Sequence, residues 1–327
     1  MAAIAVGLIG AGKHGQRYAQ HVVRDVPELR LAALSRQDHA RGAAQARELG
    51  CRYHDTWRAL VDDPAVEAVV AAVPPWLHPE IAAAVARRRK PLLIEKPLAT
   101  TGVAACEVAR VLRAAAVPCL MAHTLRWNAV VAAMRERIPS LGPLRALFLN
   151  QRFEPSTLGW LDDPKAAGGG IILHTGVHSF DLVRWLTGRE IVRVSCRTAR
   201  ASTVRTEDNF LAVLELAGSE ALVAVNGSRA TAGRSGLIDV AGAEGQLLGD
   251  HAGGWCFAIR GLERTPVPLP EALPTVREVL RDFARLLVAG ETPRTSLEDG
   301  ARSVLVAEAC YRAAELGRAV DVAPFTA

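Results

Sequence analysis

Lysine is scarce in this chain: only four of its 39 basic residues are lysine (Lys13, Lys90, Lys96 and Lys165), and the others are all arginine. Cysteine pairs are missing too. The six cysteines, Cys51, Cys106, Cys119, Cys196, Cys256 and Cys310, are scattered without a C-x-x-C spacing, which speaks against a disulfide framework and suits buried thiols in a reducing compartment. No apolar run approaches the roughly 20 residues of a membrane helix. The opening MAAIAVGLIGAGKHG breaks early into glycines, has no basic flank ahead of it, and reads as a buried strand rather than a signal peptide. A cytoplasmic protein without a membrane partner is expected. Charge is not concentrated either: the net charge is +5 and the pI about 9.1, yet the only dense basic run is Arg87 to Lys90. That run closes the amphipathic segment Pro79 to Arg88, where cations complement a helix C-terminus. Nucleic acid is therefore not an expected partner.

With 327 residues, half of them hydrophobic and 22% charged, the chain exceeds what one core usually serves, so two folded domains are expected. The first half alternates. Apolar runs at Ala3 to Ile9, Leu29 to Leu34, Ala68 to Val73, Pro91 to Ile94 and Pro118 to Ala122 read as strands. Helical segments lie between them, at Gln16 to Val26, Ala40 to Leu49, around Thr56 to Val61, after Pro79, and at Gly102 to Ala115. Repeated βα units imply an α/β, doubly wound parallel sheet over residues 1–122. The second half, 123–327, changes pattern. Strand-like runs at Leu144 to Arg152, Ile191 to Arg197, Asn209 to Glu215, Ala221 to Asn226 and Gly236 to Ala241 follow one another, as in an open, mostly antiparallel sheet of an α+β domain. Helical patterns bracket them at Val130 to Arg137, Thr175 to Leu186, Val276 to Val288 and Leu297 to Leu316, and Leu262 to Thr275 is a proline-rich connection. The C-terminal helix is expected to pack back on the first domain.

GLIGAGKHGQRY places G-x-G-x-x-G on Gly10, Gly12 and Gly15, between an expected strand and an expected helix, with Lys13 and His14 inside the motif. In that context the first glycine permits the turn, the second lets backbone approach a pyrophosphate, and the third lets the helix sit close to the sheet. The helix N-terminus then offers unpaired N–H groups to phosphate. At the end of the second strand a ribose-binding carboxylate would mark NAD. Here stand Ser35 and Arg36, which suit a 2′-phosphate, so NADP is the expected cofactor with NAD the alternative. Asp38 lies within two or three residues and qualifies that preference.

Lys96, in LLIEKPLAT, directly follows a buried strand, at the strand end where α/β sheets place ligands. GAGKHG, then EKPLA, then GGGIILHTGVHSFD, in that order along essentially the whole chain, resemble the Gfo/Idh/MocA oxidoreductases. The resemblance implies a Rossmann domain followed by an α/β domain with an open sheet. It also implies NAD(P)-dependent hydride transfer on a sugar, cyclitol or related polyol, and a homodimer or homotetramer built through the C-terminal sheet. It makes Lys96 and His178 catalytic and sets Glu95 at the cofactor. His174 stands where the family carries aspartate, which alters how Lys96 is held, since a neutral imidazole cannot supply a negative charge. Val73, Pro74, Leu77 and His78 are expected to border the nicotinamide, Arg126 to reach the cofactor, Asn128 and Trp160 the substrate, and Asp181 to orient His178. Chemically, His178 suits the proton and Lys96 the oxygen of an alcohol–carbonyl interconversion.

Residues alone leave other readings of HTGVH open. Two histidines four apart can clip a metal, but that needs a third ligand such as His123, and His174 can simply be packed in a core. Two further functions remain: a glycoside-cleaving enzyme that uses its nucleotide transiently, and a nucleotide-binding sensor without turnover.

Overall fold

The computed structural model describes residues 2–327. Strand β1 (Ile4–Ile9) is a continuous apolar run because both its faces are covered, the mark of a central parallel strand. Helix α1 (Lys13–Arg24) follows, burying Gly15, Tyr18, Ala19 and Val22, one stripe at helical spacing. Then come β2 (Leu29–Ser35), α2 (His39–Leu49), β3 (Arg52–His54), α3 (Trp57–Asp62), β4 (Ala68–Ala71), α4 (His78–Arg88), β5 (Leu92–Ile94), α5 (Gly102–Ala114) and β6 (Cys119–Met121). The strands pair in parallel in the order β3-β2-β1-β4-β5-β6. That order reverses beside β1, so the turns after β1 and β4 face a shared crevice.

Helix α6 (Ala129–Arg137) leads into β7 (Leu144–Arg152). After the short helix α7 (Pro164–Ala167), a wide π turn over Ile172–Gly176 runs into α8 (Val177–Thr187). Strands β8 (Ile191–Ala199), β9 (Asn209–Leu216), β10 (Leu222–Ser228), β11 (Ser235–Gly242), β12 (Gly245–Asp250), β13 (Trp255–Arg260) and β14 (Glu263–Pro266) follow, then α9 (Thr275–Ala289), α10 (Leu297–Leu316) and β15 (Val320–Asp321). The second sheet has the order β14-β13-β12-β11-β7-β10-β9-β8-β15. Only its β7–β10 pair is parallel. Along β9 burial alternates residue by residue, so one face meets the helices and the other is open. On the open face Phe148, Leu211, Val213 and Leu222 are exposed.

Both final helices return to the first sheet. α10 packs on α5 as well as on α8 and β8, and α9 packs on α1, placing Val279, Leu280 and Phe283 in one core with Tyr18 and Val22. The expected return of the C-terminal helix is thus joined by that of the helix before it. Expectation and structure also differ at β3, too short and polar to show a period, and at β12 to β14. The proline-rich connection begins as the exposed edge strand β14, a position where proline is tolerated. Among the described residues, no helix is long and apolar enough to cross a membrane.

Candidate active site

The cleft between the sheets has a volume of about 740 Å³. Its floor is the turn Gly12 to Gly15, with Ala72 to Pro75 after β4 and Glu95 to Pro97 after β5; the opposite wall is Phe153 to Leu158, Trp160, Leu161, His174, Thr175, Arg229 and Arg234.

At the turn, Gly10 has φ +90, and a Cβ there would lie 2.4 Å from the Ala72 carbonyl oxygen. A Cβ on Gly15 would lie 1.9 Å from the Gly10 carbonyl oxygen. Gly12 is different: nothing lies within 4 Å of where its Cβ would stand, so its bare face is open to an incoming group. It is the N-cap of α1 and has no side-chain cap, so the first helical N–H groups point unpaired into the cleft. A dinucleotide pyrophosphate fits this cradle. Ser35 is buried at the end of β2, its carbonyl accepting from Gly10 N and Ala11 N. Arg36 lies against the same turn, Nη1 donating to the Ala11 carbonyl at 3.1 Å. Asp38 is engaged as the N-cap of α2, accepting from Arg41 N at 3.1 Å.

Glu95 is buried beneath this floor, accepting from the Tyr18 hydroxyl at 2.6 Å, from His14 Nε2 at 2.5 Å and from Lys96 N at 3.0 Å. Burial pushes its pKa up, but His14, the Lys96 charge and Tyr18 outweigh burial and bring it down to about 2. Lys96 Nζ crosses the cleft and donates to the His174 carbonyl at 2.7 Å. Burial lowers its pKa, with Glu95 opposing and Arg229 assisting.

The two histidines of HTGVH do not converge on one point. His174 Nε2 donates to the Ala167 carbonyl at 2.9 Å, and its ring meets Trp160 edge-on at 5.4 Å; Trp160 in turn meets Trp76 at 5.5 Å. His178, one helical turn further on, is edge-on to His123 at 5.9 Å and is not among the residues that line the cleft. Its Nδ1 is enclosed without a partner, and Nε2 is the ring's accessible nitrogen. Burial first, then the charge of Lys96, bring His174 down to about 3 and hold His178 well below the usual histidine range. Both rings are neutral at pH 7. Among the described residues, no group of three or more His, Cys, Asp or Glu is placed to hold a metal ion.

Several expected site residues have other work. Arg126 does not reach the cofactor cleft: it makes a bidentate pair with Asp181 at 2.5 and 2.9 Å, meets Asp299 at 3.0 Å, and its guanidinium lies 4.5 Å from the centre of the Trp185 ring. Asp181 therefore serves Arg126 and does not orient His178. Asn128 does not face substrate. Its Oδ1 caps α6, accepting from Val130 N at 2.9 Å, and its Nδ2 donates to the His251 carbonyl at 3.0 Å. His78 is fully buried, its Nδ1 3.1 Å from the Leu98 carbonyl and its Nε2 3.2 Å from the Val73 carbonyl, with one N–H to donate, and Leu77 packs into the core beside it; neither borders the cleft, whereas Val73 and Pro74 do. The pattern did not reveal Arg229 and Arg234, which line the cleft, or Tyr18, which supports Glu95. The one available signal was an arginine at the end of a strand in NGSRATAGRSG.

A glycine-cradled crevice at a strand-order reversal, faced by a lysine and an imidazole, defines a dinucleotide-dependent class of enzyme. Residues 4–123 match the oxidoreductase family with an NAD-binding Rossmann fold, GFO_IDH_MocA, and residues 140–248 match the GFO/IDH/MocA C-terminal domain. The chain is 30% identical to inositol 2-dehydrogenase 2 of Saccharopolyspora erythraea, covering 98% of this chain and 96% of that one. It superposes on the aldose-aldose oxidoreductase of Caulobacter crescentus, crystallised with glycerol, with a TM-score of 0.89 at 23% identity, covering 98% and 99% of the two chains. A levoglucosan dehydrogenase complexed with NADH and levoglucosan gives 0.89 at 22% identity, covering 98% and 100%. This protein belongs to the Gfo/Idh/MocA oxidoreductase family.

Two expected outcomes follow. Gly15→Ala forces the turn open and lowers stability by about 3 kcal/mol in urea titrations, whereas Gly12→Ala stays within about 1 kcal/mol of the parent and weakens nucleotide binding at least tenfold by fluorescence titration. For pH, His78 is held at about 4 and His174 at about 3, mainly by burial. The unfolded chain therefore binds more protons than the fold as pH falls below the free-histidine value of about 6.5, so stability present above that value is lost on acidification. The slope is about 1.4 kcal/mol per pH unit for each such imidazole. His174→Gln, which keeps a donor for the Ala167 carbonyl, removes one imidazole's share of that slope in urea midpoints between pH 7 and 4.5.

Proposed function

We propose that this protein moves a hydride between a nicotinamide dinucleotide and an alcohol or carbonyl carbon of a carbohydrate-like substrate: a sugar, a cyclitol or a related polyol. The observation that carries this reading is Lys96. It projects from the end of β5 into the cleft that the glycine turn floors, and reaches the opposite domain at the His174 carbonyl, 2.7 Å away. The name of the inositol dehydrogenase relative supports the substrate class.

When bound, the nicotinamide supplies the hydride acceptor or donor. The ammonium of Lys96 has three N–H donors; one is held by His174 O, and the remainder serve the reacting oxygen as charge develops on it. His178 is neutral at pH 7, so its Nε2 takes the hydroxyl proton during oxidation and returns it during reduction. Its enclosed Nδ1 carries the hydrogen in the starting tautomer. Glu95 steadies the Lys96 backbone by accepting from Lys96 N. Trp160 walls the pocket against water.

NADP is the proposed cofactor, because Ser35 ends β2 where a carboxylate would repel a 2′-phosphate, Arg36 stands beside it, and Asp38 is engaged as a helix cap. All six cysteines are free, in keeping with a reducing, cytoplasmic setting. The test is a substrate screen at the nicotinamide absorbance with both dinucleotides. Lys96→Ala lowers kcat about 10²–10³-fold and His178→Ala about 10²–10⁴-fold; wild-type turnover in both removes their assigned roles. Arg36→Asp weakens NADPH binding at least tenfold relative to NADH, and unchanged preference removes the cofactor choice.

We also propose that copies pair through the open sheet face, as a homodimer or homotetramer. Phe148, Leu211, Val213 and Leu222 lie on three adjacent strands of that face, a contiguous apolar patch of the kind that marks an interface. Leu211→Asp combined with Val213→Asp is expected to shift the sedimentation coefficient from oligomer to monomer while leaving the circular dichroism unchanged.

A further inference from the structure

Arg229 is the one guanidinium of the cleft with no partner in the protein. It follows β10, is 8% exposed, and borders the cavity. Among the described residues its side chain makes no hydrogen bond, no ion pair and no cation–π contact; only its backbone N is engaged, by the Asp208 carbonyl at 2.8 Å. The carboxylates nearest in its field are committed elsewhere. Glu207 accepts from Gly170 N, Ile172 N and the Tyr311 hydroxyl. Asp208 accepts from Ala201 N, Ser202 N and Thr203 N, and Asp162 from Val204 N, Arg205 N and Thr206 N. Its nitrogens open onto the cavity and are not sealed in the protein, so a guanidinium largely withdrawn from bulk water is left free to pair with an anion that enters the cleft.

The position of Arg229 says which anion. Its charge is felt at Lys96 and at His174, the reacting end of the cleft, whereas pyrophosphate has its own cradle at the N-terminus of α1. Arg234, the other arginine of that wall, is already neutralised by Glu154 at 2.8 Å, and His174 is neutral. One unmatched positive charge, on a planar two-pronged donor, therefore faces the substrate. A carboxylate matches it in charge and in bidentate geometry; a phosphate dianion would bring one negative charge too many.

We propose that the substrate is a sugar acid, a polyhydroxy compound whose carboxylate is held by Arg229 while Lys96 and His178 act on a hydroxyl or carbonyl elsewhere on the same molecule. The inference rests on the hydride-transfer reading and narrows its substrate class. Arg229 is a specificity residue that touches substrate away from the reacting atoms.

The experiment compares matched sets: hexuronates and hexonates, the corresponding neutral hexoses, and hexose 6-phosphates. Each is assayed for NAD(P)(H) turnover and, by calorimetry, for binding to enzyme saturated with NADP. The carboxylates are expected to exceed their neutral parents at least 100-fold in kcat/KM or in affinity, with the preference weakening as salt rises. In Arg229→Leu that ratio falls to near unity through KM with kcat largely kept, and Arg229→Lys restores part of it, having the charge without the fork. A cooperative thermal transition with a midpoint no lower than the parent's shows that the variants are folded. Neutral sugars turned over as well as their acids would overturn the sugar-acid inference and leave the oxidoreductase reading standing. Preference for the phosphates, no binding of any acid, or a preference that survives Arg229→Leu would each overturn it too. No turnover of any sugar by an enzyme that still binds the acids would instead count against the hydride-transfer reading.

Discussion

One guanidinium gripped by a buried and a partly buried carboxylate sets the geometry on which the cleft depends. Arg126 comes from the turn after β6, Asp181 from α8, and Asp299 from the first turn of α10. The network extends through Arg184, which pairs with Asp299 and Glu190, so the first sheet, the helix bearing His178 and the C-terminal helix meet at one cluster. Such pairs add little net stability over an apolar equivalent, but removing one partner is strongly destabilising, so they tie the elements they join to one register. Here the register has a consequence. Asp181 lies three residues beyond His178 on the same helix, so holding one carboxylate also anchors the helix that carries the imidazole. At the far end of α10, the Tyr311 hydroxyl accepts from Gly170 N and Leu173 N, so the same helix pins the approach to the π turn.

With the frame held, the chemistry of the cleft turns on which groups are allowed to be charged. The buried imidazoles are neutral because burial disfavours the cation and Lys96 repels it. Glu95 stays ionised against burial because three donors converge on it. A negative charge beneath Lys96 and neutral rings around it leave the ammonium and Arg229 as the cations of this end of the cleft. Burial of Lys96 strengthens its field.

The first domain was legible because its signals are local. A buried parallel strand is a continuous apolar run, a dinucleotide turn needs glycines at fixed offsets, and α1 shows its stripe in Gly15, Tyr18, Ala19 and Val22. The second sheet was half legible: β7 to β11 alternate clearly, whereas β12 to β14 are short, glycine-flanked or exposed. Residues near the junction were misread for a physical reason. Arg126 and Asn128 are polar groups close in sequence to the cleft, and a buried structural ion pair or a helix cap uses the same residue types as a ligand site. Arg229 was invisible for the converse reason, since its lack of a partner is a property of three distant carboxylates that happen to be committed to backbone N–H groups.

The scarcity of lysine now has a physical counterpart at position 96. In a chain whose cations are otherwise nearly all arginine, an arginine there would bring a permanently charged planar fork into a space whose far side is a single carbonyl oxygen. A fork matches paired acceptors such as the carboxylate proposed for Arg229, and not one carbonyl plus one oxygen at an angle to it. The compact ammonium can turn its three donors toward both. Because burial also lowers its pKa, it yields a proton more readily than guanidinium ever does. Under the proposed reaction the two cations of the cleft divide the work by chemistry: guanidinium where two fixed oxygens must be recognised, ammonium where one oxygen changes its charge.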